Sequence, residues 1–190
     1  YFVIPYTIGE YLADEIRTGA IPTDSAEFER AEQEVSDRIN HLLTNKGAHS
    51  VDHFHKKLGK IMWNKCGMAR NAEGLQEAIR EIQQLREEFW KDVKVPGSKD
   101  ELNPELDKAL RVADFLELGE LMCMDALDRA ESAGGHFREE YQTEEGEALR
   151  RDDEYAYVAA WEYRGEPKEA QLHKEELKFE NIELKTRSYK

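Results

Sequence analysis

The residues best equipped for chemistry lie between Arg129 and Tyr141. The run Arg129-Ala130-Glu131-Ser132-Ala133-Gly134-Gly135-His136-Phe137-Arg138-Glu139-Glu140-Tyr141 places two arginines, one histidine and three glutamates around a glycine break. A guanidinium fork pairs bidentately with a carboxylate and can fix the path of a loop. A cation near the end of a helix is favoured by the carbonyl dipoles there. Arg151-Asp152-Asp153 repeats the alternation of sign further on. These residue types predict a polar clamp that holds whatever precedes the glycines to whatever follows them.

Other groups could do chemistry but are expected not to. His49 and His53 are four residues apart with His55 beside them, and imidazoles at that spacing on one helix face can share a zinc ion. Yet His49 precedes the expected helix cap Ser50, no Glu or Asp completes an obvious triad, and Lys56 and Lys57 would repel a cation, so no metal site is expected. A carboxylate-rich helix could build a di-iron centre, which needs Glu and Glu-x-x-His pairs facing inward. The helix expected at 104–131 has no histidine, and its acids Asp107, Asp114, Glu117, Glu120, Asp125 and Asp128 follow a single stripe assigned to solvent. Cys66 and Cys123 match no zinc or disulfide spacing and read as reduced, packed thiols. There is no G-x-G-x-x-G, phosphate-binding loop, H-E-x-x-H or nucleophile elbow.

The elements that must position the clamp are mostly helical. From 24 to about 43, Phe28, Ala31, Val35, Ile39 and Leu42 recur at three- and four-residue spacing. Asp24 with Glu27 matches a capping box, and Gly47 is the expected cap at the other end. A second helix follows Ser50, carrying Val51, Phe54, Leu58 and Ile61, and a third follows Asn71, carrying Leu75, Ile82, Leu85 and Phe89. Asn103-Pro104 opens a helix that is apolar over most of its girth, as expected of one that touches several neighbours. Short connections predict antiparallel neighbours packed up and down in a helical bundle. Beyond Ser132 a tail is expected, with the alternating aromatics of 155–163, a strand apolar on both faces, pairing with 169–179 as a β-hairpin that needs a surface to cover it. The fold class is therefore mainly α, with a C-terminal tail containing a hairpin.

Charge narrows the classes. Across 190 residues, 27 Lys and Arg against 41 Asp and Glu leave −14, which repels phosphate and excludes a nucleic-acid partner. No apolar run approaches the roughly 20 residues that span a bilayer, so no direct membrane insertion is expected. The apolar opening Tyr1-Phe2-Val3-Ile4-Pro5-Tyr6 is expected to need a covering surface, as in a piece of a longer polypeptide.

Arg129-x-Glu131-Ser132-x-Gly134-x-His136-x-Arg138, followed by Arg151-Asp152-Asp153-Glu154, resembles the C-terminal region of succinate dehydrogenase and fumarate reductase flavoprotein subunits. Lys57-Leu58-Gly59-Lys60-Ile61-Met62-Trp63 with Gly67-Met68-Ala69-Arg70, and the closing Arg187-Ser188-Tyr189, are similar to the same family. Gly135 stands where Ala is common in it and Glu140 where Asp is common. Within the family the chain looks closest to the single-cytochrome, Bacteroidetes-like branch. The resemblance implies that 1–20 is the terminal helix of a flavin domain, 21–132 an antiparallel, spectrin-repeat-like three-helix bundle and 133–190 the tail with its strands. It implies that FAD, the dicarboxylate and all catalytic and cofactor-binding residues belong to the flavin domain, and that this chain contains none of them. The implied partners are that flavin domain, an iron–sulfur subunit and a membrane cytochrome subunit, at the inner face of a bacterial membrane. Arg129, Glu131, His136, Arg138, Arg151, Asp152, Asp153, Arg187 and Tyr189 become candidates for a structural or docking role. A stand-alone helical adaptor whose aromatic hairpin docks a partner is the other reading of the same residues.

Overall fold

Side-chain caps decide where the helices begin. The computed structural model describes residues 8–9, 23–182 and 185. Apart from the helical Ile8 and Gly9, the terminal helix expected within 1–20 lies outside the described residues, as do Arg187 and Tyr189. The chain divides into two compact units, Tyr1–Asn40 and His41–Lys190. Helix α1, Ala26–Thr44, begins in the first unit and ends in the second. Its first turn is closed by the Ser25 carbonyl, which accepts from Glu29 N at 3.1 Å, and the Ser25 side chain hydrogen-bonds Glu27. The start therefore lies one residue beyond the expected Asp24 box. Phe28 and Val35, expected on a buried stripe, are exposed.

In the second unit Ser50 accepts from His53 N at 3.3 Å and opens α2, Val51–Lys65. Asn71 accepts from Gly74 N at 2.8 Å and opens α3, Ala72–Asp92. Asn103 accepts from Leu106 N at 3.1 Å, with proline next in sequence, and opens α4, Pro104–Asp128. Each cap satisfies an amide that has no partner inside its helix, which is typically worth about 1 kcal/mol. Helices α2–α4 pack mutually into the expected three-helix bundle. Phe54 of α2, Leu75, Ile82, Leu85 and Phe89 of α3, and Val112, Leu116 and Cys123 of α4 are buried in one core. Phe54 and Phe89 meet edge to face with ring centroids 5.3 Å apart, a geometry that the ring quadrupoles favour. Leu42, from the end of α1, joins the same core.

Two very short parallel ladders clasp the bundle. β1, His49–Ser50, pairs with β3, Val93–Lys94, and β2, Ala69–Arg70, pairs with β4, Phe137–Arg138. Gly47 sits beside the first clasp. Its φ is not in the left-handed region, so it is not the helix cap that the sequence suggests. Glycine is needed because a Cβ there would lie 2.0 Å from the Asp92 carbonyl oxygen. Beyond a short helix α5, Asp152–Tyr155, the tail forms the antiparallel hairpin of β5, Tyr157–Glu162, and β6, Gln171–Glu176. Tyr157 faces inward, and Trp161 Nε1 donates to Asp125 Oδ1 of α4 at 2.8 Å. The face carrying Tyr157 and Trp161 is the covered one, and the side carrying Val158 and Ala160 is exposed. No helix among the described residues is long and apolar enough to cross a membrane.

One carboxylate departs from the solvent stripe assigned to α4. Glu120 is fully buried, with Gln83 Nε2 donating to Oε1 and Arg86 Nη1 to Oε2, both at 2.7 Å. Both partners come from α3, so the pair fixes how α3 and α4 rotate against each other. A buried ion pair adds little beyond a well-packed apolar pair, but stripping one partner leaves a charge in a dry interior. Arg86→Met is therefore expected to destabilise the fold by about 3–5 kcal/mol. The double variant Arg86→Met with Glu120→Leu should recover most of that loss, read from urea unfolding midpoints.

Candidate functional site

The clamp residues meet where α4 ends. Arg129 is the C-terminal cap of α4, and a loop turns back through Gly134, whose φ of +57° suits glycine. Ala133 and His136 close this turn by exchanging backbone hydrogen bonds of 2.8 and 3.0 Å. The loop then enters β4, which runs beside β2 with Arg70 and Arg138 in register.

Arg138 is almost fully buried. Its Nη1 donates to the carbonyls of Ala126 at 2.9 Å and Leu127 at 3.2 Å, two of the acceptors left unsatisfied at the end of α4. Its Nε donates to Glu140 Oε2 at 3.1 Å. The other oxygen of Glu140 accepts from Ala72 N, in the first turn of α3. A cation therefore sits at a helix C-terminus, an anion at a helix N-terminus, and the two pair with each other, as both helix dipoles favour. Burial opposes ionisation of Glu140, but the Ala72 amide and the Arg138 guanidinium outweigh it and hold its pKa below the usual carboxylate value. Asn71 Nδ2 donates to Glu139 Oε2 at 2.7 Å and binds the turn after β4 to the same helix start.

His136 lies between arginines. Its Nε2 is 2.9 Å from the Arg129 carbonyl, which can only accept, so Nε2 carries the proton. Its Nδ1 is 3.1 Å from Arg70 Nη1, which can only donate, so Nδ1 must offer a lone pair. The imidazole is thus held neutral in one tautomer. Burial first, and then the charges of Arg70, Arg138 and Arg129, lower its pKa against the opposing pull of the Arg129 carbonyl.

The remaining residues bind the tail. Glu131, buried, pairs with Arg129 and accepts from the Arg151 amide at 2.9 Å. Arg151 donates to the Ala130 carbonyl at 3.0 Å and pairs with Glu154. The Arg129 guanidinium lies 5.5 Å and 5.2 Å from the ring centroids of Tyr155 and Tyr157, within cation–π range. Asp152 pairs with Arg150, and Asp153 is exposed outside the network.

Of the candidates named from sequence, Arg129, Glu131, His136, Arg138 and Arg151 converge. Asp152 flanks them, and Arg187 and Tyr189 lie outside the described residues. Sequence spacing missed Arg70, Glu140 as a helix cap, and Ser132, whose buried hydroxyl accepts from Arg138 N at 2.8 Å. The Gly67-Met68-Ala69-Arg70 segment was visible in the sequence, but nothing local announces that its arginine meets His136. Cys66 and Cys123 are buried, Cys123 Sγ donates to Met62 Sδ at 3.8 Å, and the neighbouring Cys66 first, then burial, push the Cys123 thiol up. The histidines expected not to form a metal site divide. His49 and His53 stack with centroids 4.2 Å apart, whereas His55 lies against Phe115 at 5.9 Å.

The sequence profile of a family described as fumarate reductase flavoprotein C-term matches residues 55–189. The chain belongs to that family. This C-terminal flavoprotein domain is 31% identical over 147 residues to the fumarate reductase flavoprotein subunit of Helicobacter pylori, covering 77% of this chain and 20% of that protein. It is 26% identical over 138 residues to the L-aspartate oxidase of a Synechocystis species, covering 66% of this chain and 25% of the other. A solved structure described as quinol-fumarate reductase with menaquinol molecules shares the fold, with a TM-score of 0.73 at 23% identity over 92% of this chain and 29% of that one. The chain thus spans about a fifth to a quarter of the length of these curated relatives.

Two expectations follow from the geometry. Arg138→Met removes the donor to the Ala126 and Leu127 carbonyls and the cation beside Glu140 and should lower unfolding free energy by roughly 3 kcal/mol, since hydrogen bonds to charged groups contribute about 1.5–3 kcal/mol. His136 has a folded pKa below its unfolded value, near 6.5, so the unfolded state takes up a proton first on acidification. Stability should therefore fall as pH drops below about 6.5, the loss being complete below the folded pKa. Glu140, whose pKa is also lowered, contributes stability that is lost only at more acid pH, below the usual carboxylate value. Thermal unfolding between about pH 7.5 and pH 5.5 should show a shallower decline for His136→Gln than for the wild type.

Proposed function

We propose that this chain is the C-terminal helical domain and tail of a flavoprotein subunit whose parent enzyme interconverts succinate and fumarate. The observation that carries the reading is the match of residues 55–189 to the C-terminal domain of fumarate reductase flavoproteins. The parent would use FAD, pass electrons to an iron–sulfur subunit and work with a membrane cytochrome subunit at the inner face of a bacterial membrane. The branch of the family resembled is the Bacteroidetes-like one. In this reading 1–20 ends the flavin domain, 21–132 is the bundle and 133–190 the tail.

The chain's own role is structural: it supports the flavin domain and forms part of the contact surface between subunits. The clamp geometry favours this. Arg138, the most buried of its cations, directs its bonds at helix carbonyls and at Glu140, and His136 is engaged at both nitrogens. Side chains so committed are positioned to hold a loop rather than to receive a dicarboxylate. The residues described also do not fit FAD. A dinucleotide pyrophosphate is received by a glycine-rich turn between a parallel strand and a helix in a βαβ unit. Among the described residues the parallel pairs are two residues long and the longer sheet is an antiparallel hairpin. In this reading FAD belongs to the parent's other domain. That L-aspartate oxidase carries a similar region fits a scaffold serving more than one reaction.

The test is a flavin absorbance spectrum and a succinate-dependent dye-reduction assay on the purified chain. Neither a flavin band nor turnover is expected, and measurable turnover would refute the structural role. The reading frame upstream of Tyr1 should continue into a flavin-binding sequence, which a stand-alone adaptor would lack.

A further inference from the structure

His49 and His53 gain a third neighbour that no sequence spacing shows. Glu88, on α3, brings a carboxylate oxygen to them, and one ligand atom from each of the three lies within 4.8 Å of the others. The fold creates this group in two steps. The Ser50 cap places His49 immediately before α2 and His53 in its first turn, so that their rings stack. The ladder of His49 with Val93 then lays that turn against the end of α3, where Glu88 and Asp92 occupy one face a helical turn apart.

We propose that His49, His53 and Glu88 bind a divalent transition-metal ion of the zinc class, with Asp92 orienting His49. Two imidazoles and one carboxylate are a donor set suited to zinc and its neighbours rather than to magnesium or calcium, which prefer all-oxygen shells. Asp92 pairs with Nδ1 of His49 and also accepts from Ala48 N at 2.8 Å. That leaves Nε2 of His49 for the metal, in the carboxylate–histidine–metal arrangement that fixes ring orientation and raises ligand basicity. Tetrahedral zinc with bonds of about 2.0–2.2 Å wants donor atoms roughly 3.4 Å apart. Side-chain rotations suffice to close the group, because His49 and Glu88 are both partly exposed. Water can fill the fourth position.

Lys57 sets the competition. Its Nζ lies 2.7 Å from Glu88 Oε2, so an ammonium now neutralises the carboxylate that the metal would use. The metal must share or displace that ammonium, which makes Lys57 a brake on affinity. His49 and His53 precede residue 55, where the family match begins, and Glu88 lies within it; the proposal rests on the geometry of the three side chains and not on the proposed function.

The test is calorimetric titration of zinc chloride into metal-free protein made without a polyhistidine tag. Cobalt(II) absorption in the visible reports the coordination geometry. A single ion per chain is expected. His53→Ala and Glu88→Gln should each weaken binding at least about tenfold, the scale on which even outer partners of a metal site act. Lys57→Gln should tighten binding, an effect of opposite sign that loss of folding cannot imitate. His55→Ala, on the face toward Phe115, should leave binding unchanged. Absence of stoichiometric binding, or unaltered affinity in His53→Ala and Lys57→Gln, would overturn the site.

Discussion

The pairing of Arg138 with Glu140 is the interaction on which the rest depends. A helix ends with carbonyls that lack donors and begins with amides that lack acceptors, and burying either end without partners is costly. Here the end of α4 and the start of α3 are served by two side chains two residues apart, Arg138 at the end of β4 and Glu140 in the turn after it, and those side chains neutralise each other. This short segment therefore holds two helices by their ends and anchors the beginning of the tail. His136 and Arg129 extend the arrangement, because the carbonyl that His136 reaches belongs to the residue whose guanidinium lies over Tyr155 and Tyr157. Bundle and tail are thus joined through polar contacts with fixed directions, where apolar packing alone would permit sliding.

Features set by near neighbours in the chain were legible in the sequence. Ser50, Asn71 and Asn103 are caps because a short polar side chain can reach an amide three residues on, and such contacts need no knowledge of the fold. The helices themselves and the aromatic hairpin follow from periodicity in the same way. Features that depend on contact across the fold were not legible. Glu120 belongs by spacing to a solvent stripe, but Gln83 and Arg86 on the facing helix make its burial tolerable. Gly47 looks like a helix cap, and its real constraint is the Asp92 carbonyl on another segment.

The candidate site divides along the same line. The clustering of charge from Arg129 to Arg138 was visible, and so was its position beside a helix end. The identity of the partners was not, since Arg70 and Ala72 are brought in by a ladder only two residues long. Such a ladder has too few residues to announce itself by alternation. The carboxylate beside His49 and His53 was not legible for the same reason, because Glu88 arrives from α3.

The two clasps have a topological consequence. The first joins residues on either side of α2 and α3, and the second joins residues on either side of α3 and α4. Each closes the intervening chain into a loop, and α3 is a member of both loops. Closing the first brings the segments of the second nearer together, which reduces the chain entropy lost on closing it. Conversely, α3 cannot withdraw from the core without opening both clasps, so the bundle is linked like adjacent rings of a chain. Local opening that starts in α3 should therefore spread to both of its neighbours, making the middle helix the element that renders unfolding of this bundle cooperative.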